Sequence, residues 1–580
     1  MKERSFMKIF LFFLVTFFNI CQGKNPNIDH IISQMTLEQK IGQMMIMGYE
    51  GQSMNESMKK MIEEQAIGGF ILLALINFNF PDECAQLTND IQKTAFESPL
   101  KIPLFIAMDQ EGGIASPIHY MLGGTPTPGN MALGASGREL DTFNAYKAMG
   151  LDLKACGVNV DFAPAIDVLT ESGNPDYTIR SFSGSMELNH SLAKMAVRGL
   201  KESSIVACAK HFPGLAYFKE DTHKYLPIIT LTNQELMNGD LSHFRGAIEG
   251  GVDMIMTVHS IYTGWDPNFP VTLSPFILNE ILRKRLGYKG LIISDSMGMG
   301  SISKNYSLEE ATVKAVQAGC DIILHVSNNP QEIRRRIHAL VNAVNNHQIS
   351  ETQIDISVAR ILNVKAKYNL FNTSESSTND VYESMTLEYW VKANKTAALN
   401  GIVVLRNDEN ILPINSQYDS ILVISPPSMI SRAGKDEFLP VGYTLGDLLK
   451  NKLPDLNELR IDTQPTDTEI QWALHEATEA DLIIAYLLLT EFAPAQQKFI
   501  HEILALNKPT IIMGLGMPSD VRFFPEASTV VITHSPATIS MEAGINVILG
   551  EAIAGGSLPF QVNNQYPQGT QSIKINEAPQ

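Results

Sequence analysis

From Ile28 to about Phe371, short continuous apolar runs alternate with stretches of helical periodicity. The runs are Ile41–Met47, Ile67–Leu73, Pro103–Met108, Val158–Ala163, Ile205–Lys210, Val252–Val258, Leu291–Ser294 and Asp321–Val326. Runs this short and this uniformly apolar fit parallel strands covered on both faces. Between them lie helical signals. Ser274-Pro275, for example, precedes Ile277, Leu278, Ile281 and Leu282, an N-cap followed by an apolar stripe. The alternation predicts an α/β chain with a (β/α)8 TIM-like barrel over residues 24–371, and pattern alone leaves an open doubly wound sheet as the alternative. Residues 372–390 are rich in Ser, Thr, Asn and Glu and read as a linker. The rhythm then resumes at Ile402–Leu405, Ser420–Ser425, Asp481–Tyr486, Thr510–Gly514 and Thr529–Thr533, predicting a C-terminal αβα sandwich domain over 391–580. The Gln-rich stretch after Phe560 reads as partly disordered.

A net charge of −18 disfavours nucleic acid as a partner, because phosphate backbones attract Lys- and Arg-rich surfaces. At the N-terminus Lys2, Arg4 and Lys8 precede the apolar run Ile9–Phe18 and then Cys21-Gln22-Gly23. This is the layout of a signal peptide over residues 1–23, and it places the protein in the periplasm or outside the cell. The run is short for a membrane span, so membrane contact is expected only through this segment if it stays uncleaved. The remaining cysteines, Cys84, Cys156, Cys208 and Cys320, lack CxxC spacing and mostly border apolar runs, so buried free thiols are expected.

The ends of the strand-like runs carry the chemistry. Asp109, Lys210, His211, His259 and Asp295 each sit at or just past a run's C-terminal end, the end that faces the active site of a barrel. Asp221 and His223 follow on a loop after the Pro213-Gly214 turn, where an aspartate can hold an imidazole in one tautomer. Taken singly, each has a plainer explanation: Asp295 as an N-cap, Asp221-Thr222-His223 as a solvated loop, Lys210 as a strand-end cation in water. No GxGxxG, Walker A or HExxH pattern occurs, so neither a metal nor an organic cofactor is expected.

Together these segments resemble glycoside hydrolase family 3, and within it the β-N-acetylglucosaminidase branch. The resemblance spans nearly the whole chain after residue 23. It rests on AMDQEGG, TPGNMALGA, GVNVDFAPAIDV, IRSF, AKHFPG with the later DTH, PVTLSPFILNEILRKRLGYKGLIISDSM, NGIVVLRNDENILPI and GEAIAGGSLPF. It implies a retaining exo-β-N-acetylhexosaminidase with Asp295 as nucleophile, His223 as acid/base and Asp221 orienting His223. It also implies that Asp109, Arg180, Lys210 and His211 bind the terminal sugar, with His259 at a further substrate-binding strand end. The expected substrate is an oligosaccharide or muropeptide; a β-N-acetylglucosaminide phosphorylase, another family β-glycosidase and a non-catalytic glycan-binding protein are the alternatives. The chain departs from the branch at Ile114 and Pro117, where arginines are usual, and at Leu215-Ala216, where His-Gly is usual.

Overall fold

A computed structural model describes residues 26–118, 122–169, 178–216, 221–238, 241–327, 329–372, 375–378, 381–385, 387–431, 438–440 and 442–575. The leader expected over residues 1–23 lies outside the described residues.

Eight parallel strands form the first sheet. They are β1 (Met45–Met47), β2 (Gly69–Ile71), β3 (Phe105–Met108), β4 (Val160–Asp161), β5 (Val206–Phe212), β6 (Met254–Thr257), β7 (Leu291–Ser294) and β8 (Ile323–His325). Consecutive strands pair from β1 through β7, and β1 pairs with β8. Backbone bonds from Ser294 N to Ile322 O and from Ile322 N to Ile292 O, both 3.1 Å, join β7 to the entry of β8 and close the ring. This is the predicted barrel, not the open sheet. Nearly all strand residues are buried, which explains the runs without polar alternation.

Two boundaries differ from the sequence expectation. The run Ile41–Met47 is split: Leu37–Gln43 is helical and only Met45–Met47 is strand. Thr36 and Gln39 form a reciprocal capping box that starts this helix. Strand β5 continues through His211 to Phe212, two residues beyond the predicted end. The predicted cap at Ser274 is present, its Oγ accepting from Ile277 N at 3.2 Å. The helix it opens, Phe276–Arg285, carries i→i+5 bonding and buries Ile277, Leu278, Ile281 and Leu282.

The second sheet runs β9 (Val403–Asn407), β14 (Thr529–Ile532), β13 (Thr510–Gly514), β12 (Leu482–Leu487), β10 (Ile421–Ser425) and β11 (Asn457–Arg460), with β9 antiparallel to β14 and the other pairs parallel. Alternate strand residues feed two separate apolar clusters: Val404, Val423, Ile484 and Met513 on one face, and Val403, Ile424, Ile483 and Ile512 on the other. This is the expected sandwich. Over its described residues the stretch after Phe560 packs back onto the second sheet domain. Ser572 N bonds to Gly556 O, Ile573 N bonds to Val404 O, and Val562 is buried.

In the segment between the sheets, Ser376 exchanges bonds of 2.8 and 2.9 Å with Asn89, and Tyr382 donates to Asp82 at 2.9 Å. All four cysteines expected to be buried thiols are buried and unpaired.

Candidate active site

The C-terminal ends of the barrel strands open into a cleft of about 630 Å³. Asp109, Arg180, Lys210, His211, His223 and Asp295 all line it. Asp221 stands directly behind His223.

On the β3–β5 side, Lys210 reaches Asp109 Oδ1 at 2.6 Å and Glu111 Oε1 at 2.7 Å. Arg180 grips Glu111 with two bonds, Nε to Oε2 at 2.8 Å and Nη2 to Oε1 at 2.7 Å. The side chains of Lys210 and Glu111 are each only 3% exposed. Burial alone would neutralise both. The Arg180 and Lys210 charges outweigh it and hold the Glu111 carboxyl well below the usual range. Asp109 and Glu111 likewise outweigh burial at Lys210 and raise its ammonium. The result is a rigid charged floor with Asp109, 37% exposed, as the carboxylate open to a ligand.

His211 points into the same cleft. Its Nδ1 lies 2.9 Å from Asp167 Oδ2, and its backbone N–H donates to Asp167 Oδ1 at 3.2 Å. Its Nε2 is 3.9 Å from Asp295 Oδ2. Strict strand alternation would send Lys210 and His211 to opposite faces. The β5–β6 register shifts between Ala209 and Phe212, so both side chains reach the site.

Asp295 follows β7. Its Oδ1 accepts the Ser296 N–H at 2.6 Å. Burial works against its ionisation, but the neighbouring imidazoles of His211 and His259, the Ser296 N–H and His223 together hold the carboxyl below its ordinary value. An ionised carboxylate with one oxygen turned toward an open cleft is able to attack an electrophilic carbon.

His223 completes the arrangement. Its Nδ1 lies 2.9 Å from Asp221 Oδ1, which also accepts the His223 backbone N–H at 2.9 Å. Asp221 is 11% exposed and His223 is 55% exposed, so a well-held carboxylate presents an accessible imidazole. The loop is docked on the short helix Gly300–Ser303 that follows Asp295, with Gly300 N donating to His223 O at 2.8 Å. A Cβ at Gly300 would meet that oxygen at 2.7 Å, so the approach requires glycine.

His259, the further strand-end residue, is fully buried. Its Nδ1 lies 2.8 Å from Thr272 Oγ1 and its Nε2 lies 3.2 Å from Ser296 O. Burial lowers its pKa against the opposing pull of the Asp295 carboxylate, and the ring holds the backbone beside Asp295. Sequence reasoning overlooked Glu111 and Asp167 as site residues. Both lie in quoted motifs, AMDQEGG and GVNVDFAPAIDV, where their partners are remote in sequence. It also overlooked Ser535, from the second sheet's far end, which shares a small recess with Glu111, Gly113 and Arg180.

The Glycosyl hydrolase family 3 N-terminal domain matches residues 36–364, and the family's C-terminal domain matches residues 402–577. The chain belongs to glycosyl hydrolase family 3. It is therefore a glycoside hydrolase, built as the family's barrel followed by its C-terminal α/β domain. A solved family 3 beta-N-acetylglucosaminidase from Paenibacillus sp. str. FPU-7 is similar with a TM-score of 0.85 and 32% identity, covering 91% of this chain and 99% of that one. Beta-hexosaminidase A of Pseudoalteromonas piscicida is 29% identical over 563 residues, 87% of this chain and 91% of its own length. A beta-hexosaminidase of Nitrosomonas eutropha is 33% identical over 286 residues, which is 48% of this chain and 79% of the relative.

Proposed function

We propose that this family 3 hydrolase is an exported, retaining exo-β-N-acetylhexosaminidase. It removes terminal N-acetylglucosamine from peptidoglycan- or chitin-type glycans. The observation that carries the reading is the pairing, within one cleft, of a carboxylate held ionised (Asp295) and an accessible imidazole backed by Asp221 (His223). The relatives' names, beta-hexosaminidase and beta-N-acetylglucosaminidase, support the sugar. The basic, apolar leader pattern supports export.

The mechanism follows from the charges. The terminal sugar is bound by Asp109, Arg180 and Lys210, with His211 reaching across toward Asp295. Asp295 attacks the anomeric carbon as the bond to the aglycone oxygen breaks, giving a glycosyl ester. His223 gives its proton to that oxygen, and Asp221 stabilises the imidazolium before transfer. In the second step neutral His223 takes a proton from water, whose oxygen displaces Asp295 and regenerates the carboxylate. An imidazole in place of a second carboxylate departs from the usual two-carboxylate arrangement. It avoids opposing two negative charges across the reacting carbon.

Turnover of 4-nitrophenyl N-acetyl-β-D-glucosaminide tests this. Asp295→Asn is expected to lose about 10⁴-fold in kcat or more. His223→Ala is expected to lose far more on alkyl glycosides than on the 4-nitrophenyl glycoside, whose leaving group departs with little protonation. Wild-type protein that binds N-acetylglucosamine but turns over no glycoside would overturn the reading. A sugar 1-phosphate formed in phosphate buffer would reassign the acceptor from water to phosphate.

A further inference from the structure

The cleft has a second, apolar wall that the chemistry above does not use. Beside the charged floor it is lined by Ile71 and Leu73 from the end of β2, the strand next to β3, and by Leu324 and Val326 from the end of β8. Directly beyond Leu73 the chain makes a tight turn that lifts Leu75 and Ile76 into solvent, 71% and 44% exposed. Val326, on the neighbouring rim, is 43% exposed.

An exposed leucine alone needs no explanation. Leu75 is unfavourable for a second reason: its φ is +66°, a left-handed backbone that Gly or Asn adopts more readily than a branched apolar side chain. Neither its backbone nor its burial gives this residue a reason to be leucine. The turn itself is firmly held. Asn77 is fully buried, accepts from Leu73 N at 2.8 Å, and donates to Tyr49 O at 3.0 Å and Gly51 O at 3.2 Å in the loop after β1. Leu75 N bonds to Phe78 O at 2.7 Å, and Phe78 is fully buried. Two apolar side chains are thus presented to water on a rigid support, two and three residues along the chain from Leu73, which lines the cleft.

We infer that the Leu75–Ile76 turn is an aglycone platform, which contacts the apolar face of the group attached to the scissile oxygen. This rests on the glycosidase assignment of the cleft above. The charged floor suits the hydroxyl-rich terminal sugar. The apolar wall and rim suit a ring face or an alkyl or aryl group leaving toward solvent. Because the turn is held by Asn77 and Phe78, little ordering is required when the aglycone docks.

The test is the double variant Leu75→Asn/Ile76→Asn, assayed on matched 4-nitrophenyl and methyl N-acetyl-β-D-glucosaminides. Asn suits the left-handed position and both sites are at the surface, so folding is kept; an unchanged thermal melt verifies this. Removing the two apolar side chains is expected to lower kcat/KM for the 4-nitrophenyl glycoside by about tenfold, with less than about twofold change for the methyl glycoside. Release of the covalent intermediate, which no longer carries an aglycone, should keep its rate. Equal losses on both substrates, or none on either, would overturn the platform. Wild-type protein inactive on both would instead remove the N-acetylglucosaminidase assignment, and the platform with it.

Discussion

Two buried lysines show how surroundings decide a charge. Lys210 has carboxylates at 2.6 and 2.7 Å and keeps its proton firmly. Lys365, fully buried near the N-terminal ends of β1–β3, meets only neutral acceptors among the described residues, Gln43 Oε1 at 2.9 Å and Gly68 O at 3.1 Å, beside the Phe105 ring. With nothing to offset desolvation, its pKa falls from 10.5 to about 7. Between these values the unfolded chain binds a proton that the folded chain does not. Stability from this group therefore rises as pH goes from about 7 toward 10.5, and its penalty is complete below 7. Lys365→Met removes that slope. Urea unfolding from pH 7 to 10 should show the variant gaining less stability with pH than wild type, whatever constant offset the lost hydrogen bonds add. Parallel curves would show that Lys365 is charged throughout. The two lysines also differ in legibility. Lys210 stands out in AKHFPG at a strand end. Lys365 lies on an ordinary helical stretch, and nothing in its neighbourhood along the chain announces that its ammonium meets Gln43. For the same reason Glu111 and Asp167 escaped notice: their partners are 69 and 44 residues away.

At the level of elements, the cleft is assembled from loops that lean on one another. The loop after β5 carries Asp221 and His223, and its position is set by the helix Gly300–Ser303, which follows β7. Gly300 N donates to His223 O, Ser301 N donates to Thr222 O at 3.3 Å, and Lys304 Nζ donates to Lys224 O at 3.0 Å. Gly300→Ala places a methyl against two backbone oxygens, at 2.7 and 3.0 Å. The loop must shift away from Asp295. A displacement on the order of 1 Å costs about 10²-fold in rate where geometry is critical. The expected outcome is a loss of that size in kcat, with sugar binding by the β3–β5 floor retained in calorimetry with N-acetylglucosamine. Unimpaired kcat would mean that the dock does not position His223. The strands themselves were legible because parallel strands buried on both faces leave uninterrupted apolar runs. Where that condition fails, the pattern is silent. The edge strand β11 reads Asn-Glu-Leu-Arg, with only Leu459 buried, and sequence periodicity offered no sign of it.

At the scale of the whole molecule, the second sheet domain braces the loop that carries Arg180. Three residues past Arg180, Ser183 Oγ donates to Pro559 O at 2.9 Å, and Gly184 N donates to the same oxygen at 3.1 Å. Phe560, 8% exposed, belongs to the barrel's own apolar cluster and lies against Gly184. Ser535 closes the recess behind Glu111 and Arg180 from the same side. The brace is built into the Arg180 loop, so on the proposed reading of the cleft it couples stability to sugar binding. Phe560→Ala removes a nearly buried ring at the junction, at a cost of about 3 kcal/mol. The expected result is a lower melting temperature together with a raised KM, because the Arg180 fork that orders Glu111 loses its backing. Steady-state kinetics beside a thermal melt separates the two effects. A lower melting temperature with unchanged KM would make the C-terminal domain a support for the fold alone, whereas a joint change places it in the machinery that holds the sugar.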